Sequence, residues 1–176
     1  MPLSLSIQFY ETLNGRRYHL LCVYVSPWAD AQCVECTFTV NTTYNSIHKT
    51  VYSLQDKFPH PLVSEVQLSF PLKPKQITDL FRNHVKALTK HKGKKRVAVI
   101  DSIVSNPGVL MPWKELVKIC KEEGIWSVID AAHSIGQEQN IDLTEAAPDF
   151  WTSVRFHFVF YFKILVFRPD DLHVLL

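Results

Sequence analysis

The segment from 97 to 132 constrains the fold more than any other. It reads "VAVIDSI", "SNPGVLMP", "WKELVKICKEEG", then "IWSVIDAA". The outer two runs are nearly continuous, apolar and β-branched, the pattern of strands buried on both faces. The stretch between them places apolar residues at helical spacing and closes on Gly124, a helix stop. Asn-Pro and Pro-Gly at 106–108 mark a loop. Strand, helix and strand in that order predict a βαβ unit with a parallel pair.

The alternation extends in both directions. "KQITDLFRNHVKALTKH" puts Ile77, Leu80, Phe81, Val85 and Leu88 on one helical face. "LVSEVQLSF" (62–70) alternates and predicts a strand stopped by Pro71. "NTTYNSIHKTVYSLQDKF" (41–58) has helical spacing with Thr42 or Thr43 as N-cap, and "FWTSV" (150–154) opens a further strand. In residues 1–40, "LLCVYV" and "CTFTV" read as short strands. The fold class is α/β, with a mostly parallel central sheet flanked by helices. Three parts are expected: a poorly defined segment at 1–40, a domain at 41–153, and a divergent hydrophobic tail at 154–176.

Composition removes several function classes. The chain has 176 residues, 47% hydrophobic, with net charge +2. That is neither disordered nor polyanion-binding. The one basic run, "KHKGKKR", sits between a helix and a strand and reads as a solvated turn, so no nucleic-acid partner is expected. "FHFVFYFKILVF" (156–167) falls short of the ~20 residues that span a bilayer, so no membrane partner is expected. Cys22, Cys33, Cys36 and Cys120 form no disulfide framework, and Cys33-Val-Glu-Cys36 lacks the second pair that zinc requires. A reducing, cytoplasmic setting is expected, with no metal. No G-x-G-x-x-G, P-loop or G-x-S-x-G motif is present.

Parallel sheets bind ligands outside the carboxyl ends of their strands. Three polar sets fall at such ends: Asp101 to Asn106, Asp130 to Ser134, and Thr152 with Ser153. Strand-to-loop transitions are polar in any protein, and Asp130 has an ordinary reading as the cap of its turn. Its functional reading is a carboxylate that holds a buried cation, with His133 three residues on.

"DAAHSIGQ" followed by "PDFW", together with the 97–153 segment, resembles the aminotransferase class V family, which has the fold-type I pyridoxal-phosphate architecture. The likeness covers about 41–153. It is nearest to the fungal isopenicillin N epimerase-like and hercynylcysteine sulfoxide lyase-like branch. The resemblance implies part of a cofactor-binding large domain, pyridoxal 5′-phosphate as cofactor, and a lyase (C–S cleavage) or epimerase acting on an amino acid. It also implies a homodimer. By the same resemblance, Asp130 pairs with the pyridine nitrogen and His133 contacts the ring. Ser105 and Asn106 lie near its phenolic oxygen and the substrate, Thr43 and Tyr44 face the cofactor, and Thr152 leads toward the phosphate.

The sequence then departs from the family. "PDFWTS" continues there as Asn-Cys-His-Lys, whose lysine forms the Schiff base. Here it continues Val154, Arg155, Phe156, His157. Histidine cannot make that bond. Lys163 is expected farther along the same strand, about 20 Å from His157. The catalytic lysine is therefore absent and the chain is expected to be inactive. The alternative is a non-catalytic truncated product, or a binding partner of full-length paralogues.

Overall fold

The computed structural model describes residues 5–6, 10–11, 17–18, 24–25, 34–53, 55–56, 61–88, 90, 94–156 and 162–167. Side chains are described for 36–53, 55–56, 61–88, 90 and 94–153. Four two-residue strands pair antiparallel in the amino-terminal part: β1 (Leu5–Ser6) with β4 (Tyr24–Val25), and β2 (Tyr10–Glu11) with β3 (Arg17–Tyr18). Cys22 and Cys33 lie outside the described residues, as does most of "LLCVYV".

The rest builds one six-stranded sheet. Its strands are β5 (Val34–Val40), β6 (Leu62–Val66), β7 (Lys95–Asp101), β10 (Ile125–Asp130), β11 (Phe150–Phe156) and β12 (Phe162–Phe167). The order is β12-β11-β10-β7-β5-β6, and every pair is parallel except β11 with β12. The α/β expectation holds. "CTFTV" is a strand as expected, and the sheet starts at Val34.

The helices are α1 (Asn45–Ser53), α2 (Pro74–Ala87), α3 (Trp113–Glu123) and the short α4 (Leu143–Ala146). The sheet's two faces take different partners because side chains alternate along each strand. One face carries Phe38, Ala98, Ile100 and Ile129. It joins Ile77, Phe81 and Val85 of α2 and Leu116 and Ile119 of α3 in the main core, all essentially buried. Each of these side chains other than Ala98 contributes roughly 1.5–3 kcal/mol by leaving water. The opposite face carries Val97, Val128 and Phe150, a smaller cluster. At its β6 edge α1 is tied down by His48 Nε2, 2.6 Å from Glu65 Oε1.

Local signals explain most element ends. Pro74 fixes the first turn of α2, and the Lys73 amide donates to Gln76 Oε1 at 2.8 Å. Gly124, at φ 64°, ends α3 by donating its amide to the Cys120 and Lys121 carbonyls. No helix among the described residues is long and apolar enough to cross a membrane.

Four expectations need correction. The helix read at 41–58 begins at Asn45, and its first bond runs from the His48 amide to the Tyr44 carbonyl, so neither Thr42 nor Thr43 is its N-cap. The strand predicted at 62–70 stops at Val66. Asn41 then draws the chain away from strand pairing at Leu68, since its Oδ1 accepts from the Leu68 amide and its Nδ2 donates to the Leu68 carbonyl. The loop predicted at 105–112 contains one arm of a hairpin, β8 (Ile103–Val104) with β9 (Val109–Leu110). Lys163 is not farther along the strand of His157. Strand β12 runs antiparallel to β11, with Lys163 in register opposite Arg155. His157 itself lies outside the described residues.

Candidate functional site

The topology singles out one place in the sheet. From β5 the chain passes through α1 to β6, then crosses back through α2 to β7 on the other side of β5, and continues outward to β10 and β11. The order reverses between β5 and β7. Connections leave those two strands in opposite directions, so their carboxyl ends flank a crevice. Thr42, Thr43 and Tyr44 come directly after β5 at that point, and Asp101 ends β7.

Strand register brings the other polar sets alongside. Asp101 is paired with Asp130, and Asp130 with Thr152. All three lie on the face of Val97, Val128 and Phe150, because they are an even number of residues from those positions. The three polar strand ends therefore converge.

Hydrogen bonding separates supports from available groups. The Thr152 hydroxyl donates to the Ile129 carbonyl at 3.3 Å, and that of Ser153 to the Ala131 carbonyl at 2.7 Å. The Ser102 amide donates to the Asp130 carbonyl at 2.8 Å, and its hydroxyl bonds that of Ser134. These hydroxyls stitch the strand ends together. The Thr39 hydroxyl likewise donates to that of Thr43 at 3.2 Å.

The carboxylates are different. Asp130 does cap its turn, since Oδ1 accepts from the Ala132 amide at 3.1 Å. Burial nevertheless raises its pKa, against that bond and the attraction of nearby His133. Asp101 is 4% exposed, and its Oδ2 has no hydrogen-bond partner among the described residues. Burial, then the charge of Asp130, push it up to about 7, against hydrogen bonding by the Thr43 hydroxyl and the Tyr44 backbone. Thr42 Oγ1 is also buried without a partner among the described residues. The crevice thus concentrates negative charge and unfilled hydrogen-bonding capacity, and a small cation with donors complements both.

The remaining candidates lie on loops. His133 is exposed in the turn after β10. Ser105 and Asn106 are exposed in the turn of the β8–β9 hairpin. Tyr44 is half exposed and Thr43 is buried. Asp101 was legible only as the start of a polar set; its partnerless oxygen depends on register and burial that a sequence does not display.

No family model matches the chain. An L-cysteine desulfhydrase-like protein, lolT1, of Epichloe uncinata is 33% identical over 115 residues, covering 65% of this chain and 25% of the relative. A probable chloroplastic L-cysteine desulfhydrase of Arabidopsis thaliana is 44% identical over 93 residues, 52% of this chain and 19% of the relative. The hercynylcysteine sulfoxide lyase of Schizosaccharomyces pombe is 42% identical over 57 residues, 32% of this chain and 14% of the relative. The chain spans about a quarter or less of the length of these relatives. Among solved structures, a serine palmitoyltransferase of Sphingomonas wittichii superposes with TM-score 0.59 at 15% identity, covering 81% of this chain and 34% of that one. A cysteine desulfurase from Thermococcus onnurineus NA1 gives 0.60 at 18% identity, with the same coverage.

Proposed function

Because the sequence relatives of this chain are L-cysteine desulfhydrase-like proteins and its fold is that of fold-type I pyridoxal-phosphate enzymes, we propose that its crevice is the ring-binding half of a pyridoxal-phosphate site. The activity to which such a site belongs is C–S cleavage on a small amino acid.

One observation carries this reading: Asp101, buried with one oxygen that has no partner among the described residues, stands beside the half-buried Asp130 at the carboxyl ends of adjacent strands. Burying uncompensated carboxylates is costly, and the cost falls when a cation arrives. The cofactor brings a protonated pyridine nitrogen and, when bound, serves as the electron sink for bond cleavage next to an amino acid's α-carbon. The chain's own residues have simpler tasks. Asp130 holds the ring nitrogen's proton in place, with its carboxylate oriented by the Ala132 amide. Thr152 fixes the end of β11 beside it through the Ile129 carbonyl. His133, on the turn after β10, opposes the upward push of burial on the Asp130 carboxyl. Thr43 and Tyr44 flank the crevice from the turn after β5, and Ser105 and Asn106 are assigned to it by the family resemblance.

The proton transfers of lyase chemistry need a basic group that also anchors the cofactor, and the family's position for it is His157. The chain as written therefore binds without turning over. Purified protein titrated with pyridoxal phosphate tests this. Binding should be reversible, removed by dialysis, and not fixed to the protein by borohydride. Replacing Asp130 by Asn should weaken it at least tenfold, about 1.4 kcal/mol. Fixation at Lys163 would overturn the non-catalytic reading, and equal binding by Asp130→Asn would overturn the site.

A further inference from the structure

We propose that Asp101 is a positioning residue for the ligand at Asp130: the two carboxyl groups share one proton while the crevice holds no cation, and a cationic ring nitrogen takes that proton's place. The inference rests on the proposed role of Asp130 and adds a second residue and a linkage to it.

The geometry supplies the pairing. Asp101 and Asp130 are registered neighbours on adjacent parallel strands and face the same way. Such positions are about 4.8 Å apart, so the side chains crowd one space. Asp101 is 4% exposed, and one oxygen has no partner among the described residues. A buried carboxyl with an unsatisfied oxygen is a poor choice for stability, since asparagine or an apolar residue avoids the charge. Its unfilled oxygen points to a ligand that supplies the missing positive charge.

The surroundings leave no internal substitute among the described residues. From β10 the group facing Asp101 is Asp130, a like charge. From the turn after β5 it meets the Thr43 hydroxyl and the Tyr44 backbone, with the Tyr44 phenol on the same turn. From β11 it has Thr152 in the same row, already bonded to a carbonyl. The basic group acting on the pair is His133, through Asp130. Two ionised carboxylates this close are unfavourable, so one keeps a proton near neutrality, and burial selects Asp101. A cation at Asp130 lowers the affinity of Asp101 for that proton, which passes to solvent. No other bond forms or breaks.

Pyridoxine 5′-phosphate is the probe, because it carries the ring and phosphate but no aldehyde to react with a lysine. Calorimetry on the full chain, in buffers of different ionisation enthalpy, counts protons released on binding. For wild type, binding should release protons and tighten about tenfold between about pH 6 and about pH 8. Asp101→Asn should still bind, with the pH-dependent gain reduced to about twofold and the extra proton release gone. Titration of the probe's phosphate is common to both proteins and cancels in the comparison. Equal pH slopes would overturn the inference and leave the site reading intact. Unchanged affinity in Asp130→Asn, or no binding by wild type, would overturn both. A ligand-free control does not depend on the variants folding: carbon-13 spectra of wild type should show one aspartate carboxyl titrating near neutrality. If every aspartate titrates below about pH 5, no proton is shared and the proposal fails.

Discussion

Arg96 offers a sharp test of how this sheet holds its helices. It sits in β7 on the face covered by α2 and α3 and is 3% exposed. Its guanidinium donates through Nη2 to the Glu123 carbonyl at 2.6 Å and through Nη1 to the Val85 carbonyl at 3.3 Å. Those carbonyls belong to the last turns of α3 and α2, where helices present their negative ends. One side chain thus terminates two helices and joins them to the sheet. Replacing it by methionine keeps much of the volume and removes the charge. The short bond to Glu123 is worth about 2 kcal/mol and the long one about 0.5. The two helix ends add about 1 kcal/mol more. Methionine recovers part of this by avoiding guanidinium desolvation. A net loss of about 2–3 kcal/mol is expected, measured by urea unfolding with an unchanged slope. Arg96→Lys retains the charge but reaches one carbonyl, so about half that loss is expected. If Arg96→Met falls within about 0.5 kcal/mol of wild type, the double-capping argument is wrong.

Other expectations rest on the same structure. Asp101 has a folded-state pKa raised from 3.8 to about 7, so its stability contribution is complete below the unfolded value and is lost as pH rises toward 7. Ligand-free protein should lose up to about 4 kcal/mol over that window from this group, and Asp101→Asn should flatten the thermal-stability profile. Glu65 moves the other way. Burial alone would raise it, but bonds from His48 and Gln67 outweigh burial and lower it. Its contribution is present above pH 4.5 and disappears on acidification, which Glu65→Gln should show as a smaller acid-side loss. Asp149 accepts from both the amide and the hydroxyl of Ser127 at 2.8 and 2.9 Å, so Asp149→Ala should cost about 2 kcal/mol in chemical denaturation. Gly124→Ala should cost about 1 kcal/mol, since alanine resists the positive φ there; no loss would argue against the left-handed cap.

The sequence was most informative where one physical signal dominated. The core of β7, α3 and β10 is legible in β-branched runs and helical spacing, with Gly124 as punctuation. Asp130 stood out as a carboxylate ending a buried strand, and its ring-nitrogen role came from the family resemblance of "DAAHSIGQ". Asp101 was less distinct, because its importance comes from register against a residue 29 positions away. Asn41 shortened a predicted strand through side-chain bonds to Leu68 that no local pattern announces. The antiparallel pairing of β12 with β11 was invisible for the opposite reason. The 156–162 stretch contains no glycine, proline, asparagine or aspartate, so an aromatic-rich run broken by His157 alone concealed the antiparallel return of β12.

That reversal has a directional consequence. A parallel strand delivers the next segment of chain to the ligand-bearing rim of the sheet, and a helical crossover then carries it to the next strand. Strand β12 does the reverse. Each residue after Phe162 moves back toward the level of Thr152 and then of Trp151, along the outer border of β11. The edge that a further parallel strand would extend is occupied by a ribbon running downhill from the rim. Any group contributed from β12 must therefore approach the crevice from beside β11, across its full width, and cannot arrive from above as the loops after β5, β7 and β10 do.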